Sequence, residues 1–203
     1  MSIKDSKSKG SLEVICGPMF SGKSEELIRR LRRATFAKQG ILVFKHALDD
    51  RHTIEQVRSH NGSTIDAFAT DRLDDICAQV YNTKADVIGI DEVQFYPQGI
   101  ITVICELVDA GKRVIVGGLD RDFRGIPFGP MPTLLAIADN ITKLTAICTT
   151  CGREAYFSQR LVGNKPAKFD DPVIQVGAQE TYQARCRNCY SIDRRPNLAE
   201  FSF

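Results

Sequence analysis

Residues 17–24 read Gly-Pro-Met-Phe-Ser-Gly-Lys-Ser, so that Gly17, Gly22, Lys23 and Ser24 complete the spacing G-x-x-x-x-G-K-S. Glycines let a backbone curl until several N–H groups aim at one phosphate, and a helix opening at that point adds positive potential. Gly17, Pro18, Met19, Phe20, Ser21 and Gly22 are expected to cradle the phosphates of a nucleoside triphosphate. Lys23 is expected to reach the terminal phosphates, and the Ser24 hydroxyl to coordinate a magnesium ion bridging them. The plainer alternative is a Gly-rich turn between a strand and a helix. An apolar strand before the loop, and Lys-Ser opening a helix after it, weigh against that alternative.

Two further constellations carry chemistry. Asp91-Glu92 ends the apolar run Val87-Ile88-Gly89-Ile90. Beside a phosphate loop, Asp91 at such a strand end can hold magnesium, directly or through water, and Glu92 is a candidate general base or water-orienting group. A solvated strand end is the structural alternative. Cys148-x-x-Cys151 and Cys186-x-x-Cys189 form two knuckles 34 residues apart. Each offers two thiolates at a spacing that one tetrahedral zinc accepts, and four thiolates leave no open position for water, so such a zinc is structural. Two disulfides or a redox pair remain the alternatives. Cys16, Cys77 and Cys105 sit in apolar patterns and read as core. His46, His52 and His60 share no ligand spacing and read as loop residues. Phe95, Phe123 and Phe128 could line a flat slot for a base, or belong to the core.

These groups need a scaffold, and the chain supplies signals for one. Apolar runs at 12–16, 41–44, 87–90 and 114–116 alternate with helical patterns. The first helix carries Leu27, Ile28, Leu31 and Ala34 on one face and is expected to stop near Gly40. Residues 73–81 read as helix, as does the segment holding Ile100, Ile104, Leu107 and Val108, closed by Gly111. The stretch 45–61 has no assignable pattern. The predicted fold is α/β, a parallel sheet with helices on both faces and a phosphate-loop site beyond the carboxyl ends of the strands. Near Leu144 the character changes to short β-like runs (154–161, 181–185) and a Gly/Pro/Lys/Asp-rich loop. The expected division is a flexible tail (1–10), an α/β nucleotide-binding domain (11–145), a zinc-binding β lobe with a covering loop (146–192) and a C-terminal tail (193–203).

With 203 residues, 43% hydrophobic and 26% charged, the chain can bury one substantial core. A formal charge of +2 gives no electrostatic reason to expect nucleic acid or a membrane surface as partner. The Lys/Ser-rich N-terminus is no secretory signal, and a cytoplasmic location is the expectation.

In combination these segments resemble the thymidine kinase family of animal cytosol, poxviruses and many bacteria. The phosphate loop matches that family's form down to its variable positions. Asp91-Glu92-x-Gln94-Phe95, Gly118-Leu119-Asp120-x-x-Phe123 and Pro127-Phe128-Gly129 repeat its next blocks in order. Lys143-Leu144-Thr145-Ala146, Arg153-Glu154-Ala155 and Tyr182 frame the knuckles as in the family, and the match covers roughly residues 12–190. The resemblance implies transfer of the ATP γ-phosphate to the 5′-hydroxyl of thymidine, with Glu92 as general base. It implies that Asp49 and Arg51 approach the metal and the transferred phosphoryl, and that Gln94 belongs with the nucleotide-binding set. It implies a thymine pocket of Met19, Phe95, Leu119, Phe123, Phe128, Ser158, Val173, Gly177 and Tyr182, a loop at about 161–176 folding over the base, and a homotetramer. Three positions depart from the family: Val93 for Gly or Ala beside the base, Tyr96 for Phe, and Ser158 for Thr near the thymine methyl. The last is expected to alter discrimination against deoxyuridine by only about 1–3 kcal/mol at most. Two other classes remain open on the residues alone, a zinc-ribbon ATPase responding to nucleic acid and a nucleotide-binding module without turnover.

Overall fold

Short runs of β-branched residues separated by amphipathic helices are stable when the runs pair in parallel and the helices cover both faces. In the computed structural model, which describes residues 9–48, 56–58, 62–174 and 181–201, six strands do so. β1 (Ser11–Cys16) passes through the phosphate loop into α1 (Lys23–Phe36), and β2 (Ile41–Lys45) follows. A hairpin of β3 (Gln56–Arg58) and β4 (Thr64–Asp66), then the edge strand β5 (Phe68–Ala69), precede α2 (Leu73–Asn82). Next come β6 (Val87–Asp91), α3 (Ile100–Asp109), β7 (Arg113–Gly118), α4 (Met131–Ile137) and β8 (Asn140–Lys143). The sheet order is β5-β2-β6-β7-β1-β8, with every neighbouring pair parallel.

That order sends the connection from β1 to β2 over two intervening strands, so α1 lies against β6 and β7. Its stripe of Leu27, Ile28, Leu31 and Ala34 is buried with Ile15, Val43, Val87 and Ile115. Alternate strand residues, among them Val14, Phe44, Ile88, Ile90 and Val116, point to the other face and meet Ile76 and Val80 of α2 and Ile100, Ile104 and Leu107 of α3. Gly89 explains how closely α1 sits. A β-carbon there would lie 2.8 Å from Leu31 Cδ1 and 3.1 Å from its Cδ2, so Leu31 would have to shift.

Several expectations need correction. α1 ends at Phe36, not near Gly40. Lys38 takes φ 60°, its N–H donates to the Thr35 carbonyl (2.9 Å) and that of Gln39 to the Ala34 carbonyl (3.1 Å), a left-handed cap formed without glycine. Gly40 instead leads into β2, its carbonyl accepting the N–H groups of Asp86 and Val87. Cys16 is buried, but Cys77 and Cys105 are exposed, each one residue (about 100° of helix) past a core residue, Ile76 and Ile104. β8 went unread because Asn-Ile-Thr-Lys is polar and mostly exposed at the sheet edge. Asp49, Arg51, His52, His60 and Gly177 lie outside the described residues.

Beyond Leu144, β9 (Ala146–Ile147) pairs antiparallel with β10 (Glu154–Ala155). β11 (Phe157–Val162) lies between β12 (Lys165–Pro166) and β13 (Thr181–Arg185). The C-terminal segment folds back on this unit. Asp193 accepts the Phe169 N–H (2.8 Å), and Arg194 pairs with Asp170 and Glu200 while lying 3.5 Å over the Phe169 ring. Among the described residues no helix is long and apolar enough to cross a membrane. Gly89→Ala is expected to destabilise the protein by about 1–3 kcal/mol through overpacking against Leu31. Chemical denaturation measures it, and an unchanged midpoint would refute the close α1–β6 approach.

Candidate active site

β1 delivers the phosphate loop to the carboxyl edge of the sheet, where β6 and β7 also end. α1 is capped by Gly22 with no side chain bonded to its first turn, which leaves helix N–H donors for an anion. Lys23 is buried within the loop, its Nζ donating to the Pro18 carbonyl at 2.8 Å. The Ser21 hydroxyl donates to the same carbonyl, also at 2.8 Å. Burial disfavours the Lys23 ammonium and lowers its pKa. The charges opposing that shift are, in order, Glu92, Asp91 and Asp120.

Asp91 ends β6 with 4% of its surface exposed. Its Oδ2 accepts from the Ser24 hydroxyl at 2.8 Å and its Oδ1 from the Glu92 N–H at 3.0 Å. Burial, and then the neighbouring Glu92 charge, push its pKa up to about 7. The Ser24 and Asp91 oxygens fit adjacent corners of an octahedral magnesium site, whose edge is about 3 Å when the metal–oxygen bonds are about 2.1 Å.

Glu92 itself is in the left-handed region, φ 52°, at the start of a 3-10 turn over Val93–Phe95. A non-glycine residue there costs about 1–2 kcal/mol and persists only where its surroundings hold it. Gln94 is one such restraint. It is 2% exposed, its Nε2 donates to Glu92 Oε2 at 2.6 Å, and its Oε1 accepts the Leu119 N–H at 3.0 Å. Both ends of the amide are thus used inside the protein, between the acid and the end of β7. Val93 does not crowd Glu92, because its side chain is wholly buried in the α2/α3 face of the core.

Aromatic residues gather beside the acid. Phe95 and Phe128 meet edge to face, centroids 5.5 Å apart. Gly129 brings Phe128 there, with φ 52° and no room for a β-carbon, which would lie 2.2 Å from the Gln94 carbonyl oxygen. His46, read from sequence as a loop residue, is 5% exposed and stands edge-on to Tyr96 (4.7 Å) and tilted to Phe95 (5.8 Å). The hydroxyl that distinguishes Tyr96 from Phe donates to the Thr70 carbonyl at 2.9 Å. Sequence reasoning missed His46 although it directly follows a buried strand whose last residue, Lys45, pairs with Asp91.

The cysteine-bearing unit reaches this edge at three points. Ser158 on β11 accepts the Met19 N–H at 2.9 Å, so its hydroxyl ties the phosphate loop to the second sheet. Tyr190, next after Cys189, donates to the Phe123 carbonyl at 2.7 Å and stacks on Phe157. Arg160, wholly buried on β11, lies over the Phe123 ring at 4.9 Å. Tyr182 on β13 is opposite Arg160 in the ladder, and Val173 is half-buried in the loop that precedes β13. Asp120 is buried and paired with Lys143 at 2.8 Å.

The sulfur atoms of Cys148, Cys151, Cys186 and Cys189 all lie within 4.8 Å of one another, and Cys151 and Cys186 are 3.6 Å apart. All four are free thiols, which removes the disulfide alternative. Zinc–sulfur bonds of about 2.3 Å in a tetrahedron put sulfurs about 3.8 Å apart, so the cluster fits that metal. Burial opposes ionisation of Cys148, and backbone N–H donors of Cys186, Thr150 and Cys151 lower its pKa, while hydrogen bonds to the other cysteines raise that of Cys189.

A phosphate loop, an acid pair on the strand end one place beyond its neighbour and an aromatic cleft on one edge of a parallel sheet define a class, the phosphate-loop phosphotransferases of α/β fold. The thymidine kinase family model matches residues 10–190, most of the chain, and the chain belongs to that family. It is a kinase, and its reaction is the phosphorylation of thymidine with ATP as donor.

Gln94→Leu preserves volume while removing both amide contacts. It is expected to lower kcat by about tenfold or more, through misplacement of the acid, with little change in ATP KM. Steady-state kinetics at saturating ATP checks this, and an unchanged kcat would show that Gln94 does not set the acid's position.

Proposed function

We propose that Glu92 removes the proton from the 5′-hydroxyl of thymidine while that oxygen attacks the γ-phosphorus of ATP. One bond forms from the sugar oxygen to phosphorus, the bond from phosphorus to the β,γ-bridging oxygen breaks, and thymidine monophosphate and ADP leave. The observation that carries this reading is geometric: Ser24, next after Lys23, bonds Asp91 at 2.8 Å, and the following Glu92 is held on the same edge by Gln94 at 2.6 Å. An acid so placed lies where a phosphate held by Lys23 and a hydroxyl held by Glu92 would meet. Lys23 leaves the Pro18 carbonyl for the β- and γ-phosphates, with the loop 17–22 and the start of α1 around them. When bound at Ser24 and Asp91, magnesium supplies neutralisation of the phosphate charge. Asp49 and Arg51 are proposed on the family resemblance, Arg51 at the transferred phosphoryl and Asp49 near the metal.

The thymine pocket is proposed to comprise Met19, Phe95, Leu119, Phe123, Phe128, Val173, Gly177 and Tyr182. Ser158 is proposed to act in it through Met19, whose N–H its hydroxyl accepts. Gln94 is proposed to hold Glu92 rather than touch the nucleotide, because both ends of its amide are taken. The four-cysteine cluster is proposed to carry structural zinc, leaving no coordination site for chemistry. We further propose the division at about residue 145, a cytoplasmic location and a homotetramer. The tetramer rests on the family resemblance alone.

An ATP-dependent assay across the four deoxynucleosides and deoxyuridine tests the substrate, with thymidine the expected acceptor. Glu92→Gln is expected to spare ATP binding and to cut turnover by about a hundredfold or more; near-normal turnover would remove Glu92 from the base role. Cys148→Ser is expected to release zinc and lower thermal stability, measured by metal analysis and melting. A variant holding one zinc per chain at full stability would contradict the four-thiolate site.

A further inference from the structure

Arg160 is wholly buried, a costly place for a guanidinium. A leucine or methionine would fill the same core position without that cost, so the geometry of the guanidinium is what calls for explanation. Two features use it at once. Its Nη1 donates to the carbonyl of Pro172, in the loop between β12 and β13, and its Cζ lies over the Phe123 ring, 4.9 Å from the ring centre. Few side chains can donate along an edge and stack through a face in one rigid plane.

The carbonyl held in this way belongs to the peptide that joins Pro172 to Val173. That peptide is planar and trans, so fixing its carbonyl fixes the opposite direction of the Val173 N–H. The neighbouring turn is restrained from the other side. The Lys168 N–H bonds the Asp171 carboxylate (2.9 Å), the Phe169 N–H bonds Asp193 (2.8 Å), and Arg194 covers the Phe169 ring. Phe123 is restrained too, its carbonyl by Tyr190. Arg160 is therefore the direct link between the Pro172–Val173 peptide and an aromatic wall at the sheet edge.

We infer that Arg160 is a positioning residue for the nucleoside, setting the Val173 peptide against Phe123 so that loop and wall enclose the base together. The inference rests on the proposed pocket, in which Phe123 and Val173 both face thymidine. It places Arg160 outside contact with substrate and outside the phosphate chemistry.

The test is steady-state kinetics of the full-length, zinc-loaded enzyme carrying Arg160→Lys or Arg160→Met, with zinc content measured alongside. Arg160→Met is expected to raise thymidine KM about tenfold or more while ATP KM stays within about twofold. Arg160→Lys keeps a donor for the Pro172 carbonyl but loses the flat face, and an intermediate rise of about threefold to fivefold is expected. A merely structural role would move both KM values with zinc loss and show no graded recovery with lysine. Should Arg160→Met fail to fold, Arg160→Lys decides. A folded Arg160→Lys with wild-type thymidine KM, or with equal rises for both substrates, overturns the inference. A wild-type enzyme that does not phosphorylate thymidine would instead overturn the functional reading beneath it.

Discussion

A buried ammonium facing three carboxylates is the constraint around which the rest of the molecule is arranged. Lys23 cannot stay charged in a cleft without negative neighbours, and Glu92, Asp91 and Asp120 provide them. The reverse also holds, since Asp91 is pushed up to about 7 by its own burial and by Glu92. Lysine and acids thus partly satisfy one another. A triphosphate would bring negative charge, and a magnesium ion held by Ser24 and Asp91, as proposed, would bring positive charge to groups that already pair with one another.

Sheet order makes that balance geometrically available. β7 lies between the strand that bears the phosphate loop and the strand that ends in Asp91. Leu119 and Asp120, which follow β7, are thereby set between loop and acid pair, where the Leu119 N–H anchors Gln94 and Gln94 anchors Glu92. The left-handed backbone at Glu92 is tolerable in this setting because its carboxylate, its N–H and its neighbour are each held. α1 is brought down onto the sheet by Gly89, and its N-terminus carries the loop to the same edge.

The cysteine-bearing unit contributes position rather than reactive groups. Its contacts reach the sheet edge through Ser158 to Met19, Tyr190 to Phe123 and Arg160 beneath the same ring. Because Tyr190 directly follows Cys189, a metal that fixes the second knuckle also fixes the hydroxyl that holds Phe123. Loop, aromatic wall and four-cysteine cluster are in this way mechanically continuous.

What could be read from residue order was whatever depends on neighbours a few positions apart. The phosphate loop, the acid pair at the end of 87–90 and the two cysteine knuckles are local patterns, legible because phosphate and metal ligation demand fixed short spacings. The parallel sheet covered on both faces was legible from apolar periodicity for the same reason. Polar β8, the Lys38 cap on α1 and the exposure of Cys77 and Cys105 were not, since a polar edge strand, a glycine-free cap and a one-residue rotation leave little compositional trace. The uses of Gln94, Ser158, His46, Tyr190 and Arg160 were decided only by tertiary contact. Their partners lie on other strands and loops, from two to 139 positions away, and no spacing rule relates a buried side chain to a surface that the rest of the chain must first build.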